Sequence, residues 1–374
     1  MSALLQEMSN RALQLGVPFS VQLDLTYRCN ERCVHCYLDH DDHGEMTTAE
    51  IKHLLREMAD AGVFILTFSG GEIFLRKDFF EILECARTLT FCVKLKTNAV
   101  LIREPEAARL RDLGVESVQI SIYSHRPEVH DAITLIPGSL RRSIEAIRRL
   151  KAQGLKVVLA NVLMTQNAND YHGVRALAEE LGARYTLDPT ITPKMDGDRS
   201  ILKLNSGEEA LRRLFRDEAL VGNAEEFCAP PPAPTEDSMQ SLPCSAGHTA
   251  CYVSPYGDFY PCVQFPLSCG NVRQQRFVDI WRNSEQLKEV RSIRLKDMPG
   301  CSKCVHGSSC TRCPGLAFME GNMRGPSTAD CEKSFARTGI PSENLLSKKA
   351  SAPALIQIQN LTALANSGFA SKPA

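Results

Sequence analysis

Residues 21–36 read VQLDLTYRCNERCVHC, an apolar run that leads directly into a tight group of cysteines. The first six residues have the length and apolar content of a buried strand. Strand-like runs recur along the next part of the chain and alternate with helical patterns. The further runs are 63–69, 92–97, 117–122, 156–163 and 184–187, and the helical patterns are 47–61, 77–89, 105–113, 139–153 and 170–181. This alternation predicts a parallel sheet covered by helices.

The number of these units predicts the type of sheet. Six strand–helix units are too few for an eight-unit barrel, so we expect an α/β fold with a partial (β/α)6 TIM-like barrel over residues 18–190. Local signals support the helix ends. Thr47 and Glu50 form a predicted capping box. Four glycines follow the last turns of predicted helices: Gly62, Gly114, Gly154 and Gly182.

The rest of the chain divides by composition. Residues 1–17 are an N-terminal segment, and residues 191–240 lose the alternation and contain a proline cluster typical of a stiff linker. Residues 241–335 hold nine of the 15 cysteines, which predicts a small cysteine-rich C-terminal domain. Residues 336–374 have the composition of a mobile tail, in which 355–365 form a short amphipathic pattern.

Bulk composition excludes several classes of protein. The net charge is −1, and 23% of the residues are charged, so the chain lacks the basic character typical of nucleic-acid-binding domains. No apolar run is long enough to cross a bilayer, and the first residues do not resemble a signal peptide. We therefore expect a cytoplasmic protein without membrane or nucleic-acid partners, whose many cysteines serve metal or redox chemistry.

The first cysteine group directly follows the first predicted strand. Cys29, Cys33 and Cys36 have Cys-x3-Cys-x2-Cys spacing, and three thiolates on one loop can hold a metal centre while leaving one position open for a ligand. We favour an iron–sulfur cluster. Zinc is the alternative, with a fourth ligand from His35, His40 or His43.

This spacing and its place after the first strand resemble the radical S-adenosylmethionine (SAM) superfamily. The resemblance implies that Cys29, Cys33 and Cys36 hold a [4Fe-4S] cluster whose open iron binds SAM and reductively cleaves it to a 5′-deoxyadenosyl radical. It also implies that His35, before the third cysteine, lies near the adenine.

Further motifs at predicted strand ends match the same family. The segment Ser69-Gly70-Gly71-Glu72 resembles its Gly-Gly-Glu motif, and Thr97-Asn98-Ala99 resembles its Thr-Asn-Gly turn. The resemblance implies SAM contacts by Gly70, Gly71, Glu72, Thr97, Asn98 and Ser121. Many members carry an arginine where this chain has Thr134, and Arg126 is a candidate replacement.

A second cysteine group lies in the C-terminal region. Two Cys-x2-Cys pairs near residues 301–313 are a strong metal signal, which a zinc ribbon would also give. Beside the first group, the pattern resembles the SPASM domain, which implies two auxiliary [4Fe-4S] clusters that carry electrons. The resemblance assigns Cys244, Cys251, Cys262 and Cys313 to the nearer cluster, and Cys301, Cys304, Cys310 and Cys331 to the outer one. Cys85 and Cys92 are interpreted as packing residues within or beside apolar elements. Cys228 and Cys269 are predicted to lie in loops and are interpreted as structural, with a catalytic thiol as the alternative.

The two groups together resemble peptide-maturing SPASM enzymes such as the pyrroloquinoline quinone and mycofactocin maturases. This implies oxidative modification of a small peptide, with an electron donor such as flavodoxin or ferredoxin. Only about 17 residues precede the first strand, so a separate peptide-binding partner is one hypothesis and a non-peptide substrate another. The alternatives are a tetrapyrrole enzyme of the haem pathway, a sulfatase-maturing enzyme and a non-catalytic metal-binding scaffold. Tyr37 and Tyr123 are candidates for the substrate pocket, although packing explains them equally well.

Overall fold

The computed structural model describes residues 3–351, and its centre is one sheet in the order β6-β5-β4-β3-β2-β1-β7-β8-β9. Neighbouring strands from β6 to β7 are parallel, whereas β8 and β9 pair antiparallel. The strands are β1 Ser20–Thr26, β2 Ile65–Gly70, β3 Cys92–Thr97, β4 Ser117–Ser121, β5 Val157–Val162, β6 Arg184–Asp188, β7 Ala250–Val253, β8 Asp258–Tyr260 and β9 Gly270–Asn271.

Helices follow most of these strands. The helices are α1 Ala3–Leu15, α2 Thr48–Asp60, α3 Phe79–Thr88, α4 Glu104–Asp112, α5 Pro127–Thr134, α6 Ser139–Ala152, α7 Tyr171–Glu180, α8 Glu208–Phe215, α9 Glu218–Val221, α10 Ala224–Cys228, α11 Glu236–Met239, α12 Phe277–Asn283, α13 Glu285–Ser292, α14 Pro314–Met319, α15 Thr328–Thr338 and α16 Glu343–Ser351. Short 3-10 helices span Ile73–Leu75, Ser200–Leu204 and Leu295–Asp297. No helix in residues 3–351 is long and apolar enough to cross a membrane.

The predicted α/β fold is confirmed, because β1–β6 form the parallel sheet of a partial barrel in sequence order. The predicted helix signals are confirmed as well. Helix α2 begins with the capping box of Thr47 and Glu50 and buries its apolar stripe. Each of the four predicted glycines lies just beyond a helix and has a positive φ, between 61° and 91°, which a residue with a side chain rarely adopts.

The cysteine-rich region contributes to the same sheet. Strand β7 pairs parallel with β1, with Val21 opposite Cys251, so residues far apart in sequence extend the barrel wall. The sequence analysis did not predict this pairing. Four short helices, α8 to α11, lie within the segment that was expected to be a linker, and the proline cluster separates the last two of them.

The segment predicted as a mobile tail begins within ordered structure. Helix α15 continues to Thr338, and α16 follows it within the described residues. The amphipathic pattern predicted over 355–365 lies outside the described residues.

Alternation along the barrel strands separates a helix-facing side from an interior side. In β3, Val93 and Leu95 are fully buried in the core beneath the helices, whereas Lys94 and Lys96 are half-buried and line cavities. The C-terminal ends of β1 to β6 meet at one edge of the sheet, which is where parallel α/β barrels place their chemistry.

Candidate active site

The first cysteine loop lies at this edge, between β1 and α2. Cys29, Cys33 and Cys36 line one cavity with about 1340 Å³ of empty space. Backbone hydrogen bonds fix the loop, since the N–H groups of Arg32 and Val34 donate to the last turn of α5 at 3.1 and 2.9 Å. The geometry therefore brings together the three thiols whose spacing first suggested a metal centre.

The Gly-Gly turn at the end of β2 packs against the start of this loop. A Cβ on Gly70 would lie 2.2 Å from the Thr26 carbonyl oxygen, and one on Gly71 would lie 2.4 Å from that of Arg28. The Gly71 N–H donates to the Thr26 oxygen at 2.8 Å. Both glycines are thus required by the close approach of the chain's own backbone, and both line the cavity.

Glu72 joins the ends of two strands rather than facing the cavity. Its carboxylate is fully buried and accepts hydrogen bonds from the Thr97 hydroxyl at 2.7 and 2.8 Å and from the Asn98 N–H at 3.0 Å. Thr97 and Asn98 line the cavity, but Glu72 does not. The Asn98 side-chain amide lies 3.8 Å from the Cys29 sulfur. The three motifs therefore form one connected unit.

Aromatic and polar side chains complete the upper wall. The ring of His35 packs edge-on against Tyr123 at 4.7 Å between centroids, and the Tyr123 hydroxyl lies 4.0 Å from the Cys33 sulfur. Burial lowers the pKa of His35 to about 4, so its ring is neutral at physiological pH. Ser121 and Tyr37 also line the cavity.

Arg126, the candidate replacement for the arginine missing at position 134, is occupied elsewhere. Its guanidinium pairs with the buried carboxylate of Asp170 at 2.9 Å, and it does not line the cavity. The Thr134 hydroxyl is within 2.7 Å of the Ser139 hydroxyl. The cavity therefore receives no positive charge from Arg126, and Thr134 carries none.

The donor set at this cavity fits an iron–sulfur cluster with an open iron. Two buried polar atoms on its wall, Oε1 of Glu31 and Nδ1 of His35, have no hydrogen-bond partner within residues 3–351. Because buried polar atoms are rarely left unpaired, a polar group belongs in this space. Among the described residues, no three His, Cys, Asp or Glu side chains converge closely enough to hold one metal ion. Three thiols from one loop that line one cavity supply the three ligands that a [4Fe-4S] cluster with one open iron requires.

The nearer auxiliary group brings together Cys244, Cys262 and Cys313. The pKa of Cys262 is raised to about 12 by burial first and then by the proximity of Cys313 and Cys244. Cys313 caps the N-terminus of α14, where its sulfur accepts the Leu316 N–H at 3.5 Å. These three thiols come from a loop, a strand end and a helix start.

The structure does not bring Cys251 to this group. Cys251 is 4% exposed and belongs to the hydrophobic core, near Cys269. The reason is strand alternation, since Tyr252 in β7 points into the barrel and hydrogen-bonds Asp24 at 3.0 Å, so its neighbour faces the helix side. Sequence spacing alone could not indicate which face of β7 a residue occupies.

All four thiols expected for the outer auxiliary cluster line one space. The space of about 400 Å³ is lined by Cys301, Cys304, Cys310 and Cys331, together with Cys313. Burial, followed by the mutual proximity of these thiols, raises the pKa of Cys301 to about 12. This donor set fits a fully ligated [4Fe-4S] cluster.

The main cavity reaches the cysteine-rich region. Val263 and Gln264 form part of its wall, and the Gln264 N–H donates to the Cys262 sulfur at 3.3 Å. One cavity therefore has the first cysteine loop on one side and a residue adjoining the nearer auxiliary group on the other.

Polar residues inside the barrel are the part of the site that the sequence analysis missed. Gln22 and Asp24 in β1, Lys96 in β3 and Gln119 in β4 all face the interior. A signal was present, because buried parallel strands usually read as continuous apolar runs, whereas these strands carry polar residues at alternate positions.

Comparisons with known proteins agree with this geometry. Residues 23–178 match the model of the radical SAM superfamily, and residues 244–305 match that of SPASM, an iron–sulfur cluster-binding domain. The chain is 32% identical to a PqqA peptide cyclase of Xanthomonas axonopodis pv. citri, over 80% of this chain and 84% of that protein. It is 28% identical to the mycofactocin maturase MftC of Mycolicibacterium smegmatis, with 89% and 88% covered.

Two further proteins are similar. An AdoMet-dependent haem synthase of Oleidesulfovibrio alaskensis is 28% identical, with 83% of this chain and 87% of that protein covered. Streptococcus suis SuiB bound to its precursor peptide SuiA shares the fold, with a TM-score of 0.69 at 18% identity over 88% of this chain and 80% of that one. The predicted resemblance is confirmed: this chain belongs to the radical SAM superfamily, is an enzyme that uses SAM and a [4Fe-4S] cluster, and carries an iron–sulfur-binding SPASM domain.

Proposed function

We propose that this chain is a radical SAM oxidoreductase that modifies a peptide, that is, a peptide maturase. One observation carries the proposal: the cavity lined by Cys29, Cys33 and Cys36 is also lined by Gln264, beside Cys262. A substrate in this cavity would lie between the radical-generating site and an electron acceptor. Oxidative modification needs both, because the substrate first loses a hydrogen atom and then an electron.

Similar proteins support a peptide as the substrate. The names of two relatives specify a peptide cyclase and a mycofactocin maturase, and the structural neighbour SuiB holds a precursor peptide.

In this proposal, Cys29, Cys33 and Cys36 hold the [4Fe-4S] cluster, and with SAM bound it supplies one-electron reductive cleavage to a hydrogen-abstracting radical. The neutral ring of His35 offers a flat face to the adenine. Gly70 and Gly71 have no side chains, so they leave room for a ligand at the cavity wall. The remaining SAM-facing groups are the side chains of Thr97, Asn98 and Ser121. Glu72 fixes Thr97 and Asn98 through its three hydrogen bonds, which makes it a positioning residue.

The auxiliary clusters carry electrons in this proposal. Cys244, Cys262 and Cys313 hold the nearer cluster, and the outer cluster is held by Cys301, Cys304, Cys310 and Cys331. Cys313 adjoins both groups. A one-electron donor of the flavodoxin or ferredoxin class supplies the first cluster, and a separate peptide-binding protein presents the substrate. A reducing compartment, the cytoplasm, keeps so many thiols available for metal.

The test is an anaerobic reconstitution with iron and sulfide, followed by dithionite and SAM. We expect about twelve irons per chain, four for each of three clusters, and formation of 5′-deoxyadenosine. Replacement of Cys29, Cys33 and Cys36 by Ala should abolish SAM cleavage and leave about eight irons. Cleavage that survives this replacement would contradict the proposed cluster site.

Peptide modification is tested separately, with peptides encoded near the gene and mass spectrometry of the products. The proposal expects one 5′-deoxyadenosine for each modified peptide. The haem-synthase relative defines the competing outcome. If a carboxylated iron porphyrin is converted to haem while the peptides remain unchanged, the peptide proposal is wrong and the tetrapyrrole alternative replaces it.

A further inference from the structure

A second cavity lies deeper in the barrel, toward the N-terminal ends of the strands. It has about 700 Å³ of empty space and is lined by interior positions of β2 to β6. Three of its lining residues are cations, and we call them the basic floor: Lys94 and Lys96 in β3, and Arg184 in β6. No acidic residue lines this cavity within the described part of the chain.

The basic floor is continuous with the candidate active site. Lys96 and Gln119 line both cavities, so no wall separates them at this point. Lys96 directly precedes Thr97, which lies at the rim of the upper cavity. A molecule held in the upper cavity can therefore extend downward onto Lys96.

The cations of the floor have few partners in the protein. The Lys96 ammonium, which has three donors, makes one hydrogen bond, to the Gln22 side-chain oxygen at 2.9 Å. Within residues 3–351, no carboxylate lies within 4 Å of the charged groups of Lys94, Lys96 or Arg184, although 24 such ion pairs or histidine contacts occur elsewhere.

The nearby acids are occupied by other groups. Asp24 accepts hydrogen bonds from Gln22 and from the Tyr252 hydroxyl, each at 3.0 Å. Asp188, near Lys96, accepts from a backbone N–H at 3.0 Å. Glu116, near Lys94, pairs with Lys156 at 3.2 Å. The floor therefore keeps unused hydrogen-bond donors and positive charge beside empty space.

For the two half-buried lysines, this arrangement costs stability unless an anion completes it, whereas Arg184 is exposed and adds its charge at the open side of the cavity. Half-buried ammonium groups lose hydration, and proteins normally pair them with carboxylates. Burial lowers the pKa of Lys96, with Asp24 and Asp188 opposing that shift. Asp188 lines the upper cavity with Lys96 but makes no hydrogen bond to it, so a negatively charged ligand would use the donors of Lys96 that the protein leaves unused.

We propose that the basic floor binds a carboxylate of the substrate peptide, from an acidic side chain or from the C-terminus. The inference rests on the proposed function, because it supposes a peptide in the upper cavity. A carboxylate suits such a site, since Lys and Arg donate charge-assisted hydrogen bonds to carboxylate oxygens. The floor thereby sets the depth and direction of the peptide.

Strand geometry places the anchored group near the reacting carbon. Each strand residue advances about 3.3 Å, so Lys96 lies about one residue below Thr97, and Lys94 lies about 10 Å below it. A carboxylate on Lys96 would hold a carbon of the same or the adjacent residue beneath the SAM site. We therefore expect modification at, or next to, an acidic or C-terminal residue.

SAM also carries a carboxylate, so SAM and the peptide are the two ligands whose carboxylate the basic floor can bind. Binding experiments separate the two sources. The probe is a fluorescein-labelled, C-terminally amidated peptide, Gly-Gly-Tyr-Glu-Glu-Gly, and its match replaces both glutamates by glutamine. Fluorescence anisotropy measures peptide affinity on the reconstituted holoenzyme, and equilibrium dialysis measures SAM affinity.

We expect the glutamate peptide to bind at least about tenfold more tightly than the glutamine peptide, which is about 1.4 kcal/mol. Lys96→Gln and the double variant Lys94→Gln/Arg184→Gln should each remove most of this preference. The double variant should also leave SAM affinity unchanged, because neither of its residues lines the upper cavity. Lys96→Arg should retain the glutamate preference. Lys288→Gln is the control, because it removes a lysine of α13 that pairs with Glu285 and lines neither cavity, and its preference should equal that of the wild type.

Three results would overturn the inference. The first is equal binding of the two peptides, and the second is an unchanged preference in Lys96→Gln and in the double variant. The third is a loss of SAM affinity without a loss of peptide preference in Lys96→Gln, which would assign the carboxylate to SAM. A glutamate preference in a protein that forms no 5′-deoxyadenosine would support the floor while overturning the proposed function. Formation of 5′-deoxyadenosine without a glutamate preference would overturn the role of the basic floor and leave the proposed function standing.

Discussion

The Gly-Gly turn offers the sharpest test of how the first cysteine loop is held. In Gly71→Ala, the new Cβ would lie 2.4 Å from the Arg28 carbonyl oxygen and 2.6 Å from that of Tyr27. Ordinary contact begins near 3.4 Å, so the two backbones must separate by about 1 Å. This movement displaces the segment that leads directly to Cys29.

The cost follows from the contacts that the separation breaks. Two backbone hydrogen bonds join the turn to the loop, from Gly71 N–H to Thr26 at 2.8 Å and from Glu72 N–H to Arg28 at 2.9 Å. Each is worth about 1 kcal/mol net, and the overlap itself costs roughly 1–3 kcal/mol. The reduced flexibility of the unfolded chain offsets about 0.5 kcal/mol. We therefore expect Gly71→Ala to lose roughly 3 kcal/mol of stability, which most domains survive.

The assay combines iron content, SAM cleavage and the thermal midpoint. Gly71→Ala should fall from about twelve irons toward eight, because only the first cluster is disturbed, and 5′-deoxyadenosine formation should drop by about a hundredfold. Gly207→Ala is the control, since its Cβ would meet nothing within 4 Å and its φ of −67° suits any residue. Full iron content and wild-type cleavage in Gly71→Ala would refute the close-packing explanation.

Three further predictions test other parts of the structure. Cys244→Ala should lose an auxiliary cluster and therefore about four irons, whereas Cys251→Ala should retain about twelve. Equal iron loss in the two variants would show that Cys251 is a cluster ligand. Glu72→Gln should lower the thermal midpoint by the equivalent of about 1–3 kcal/mol, because the NH2 group of the new amide would face the Asn98 N–H, which now donates to the carboxylate. An unchanged midpoint would contradict this positioning role. Burial raises the pKa of Asp24 from 3.8 to about 6, so its contribution to stability is fully present below about pH 3.8 and is lost as the pH rises to about 6. Between about pH 5 and pH 7.5, denaturation should therefore show the stability of Asp24→Asn rising relative to wild type by about 1.4 kcal/mol, the share that belongs to the last pH unit below 6. A flat difference would rule this out.

The order of the strands and the position of the first site could be predicted from sequence. Strand and helix periods differ, and capping signals such as Thr47 with Glu50 act over a few residues, so the (β/α)6 alternation is a local property. The three motif segments follow β1, β2 and β3, and parallel strands bring their C-terminal ends to one edge. The sequence therefore determined which motifs would meet.

Tertiary structure alone decided which side chains face one another across long separations. The pairing of β7 with β1, 230 residues apart at Val21 and Cys251, sets Tyr252 in the barrel and Cys251 in the core. The basic floor likewise joins Lys94 and Lys96 to Arg184 only because β3 to β6 curve around one interior. No local pattern encodes these contacts, since a strand's neighbours and the direction of its faces depend on packing summed over the whole sheet.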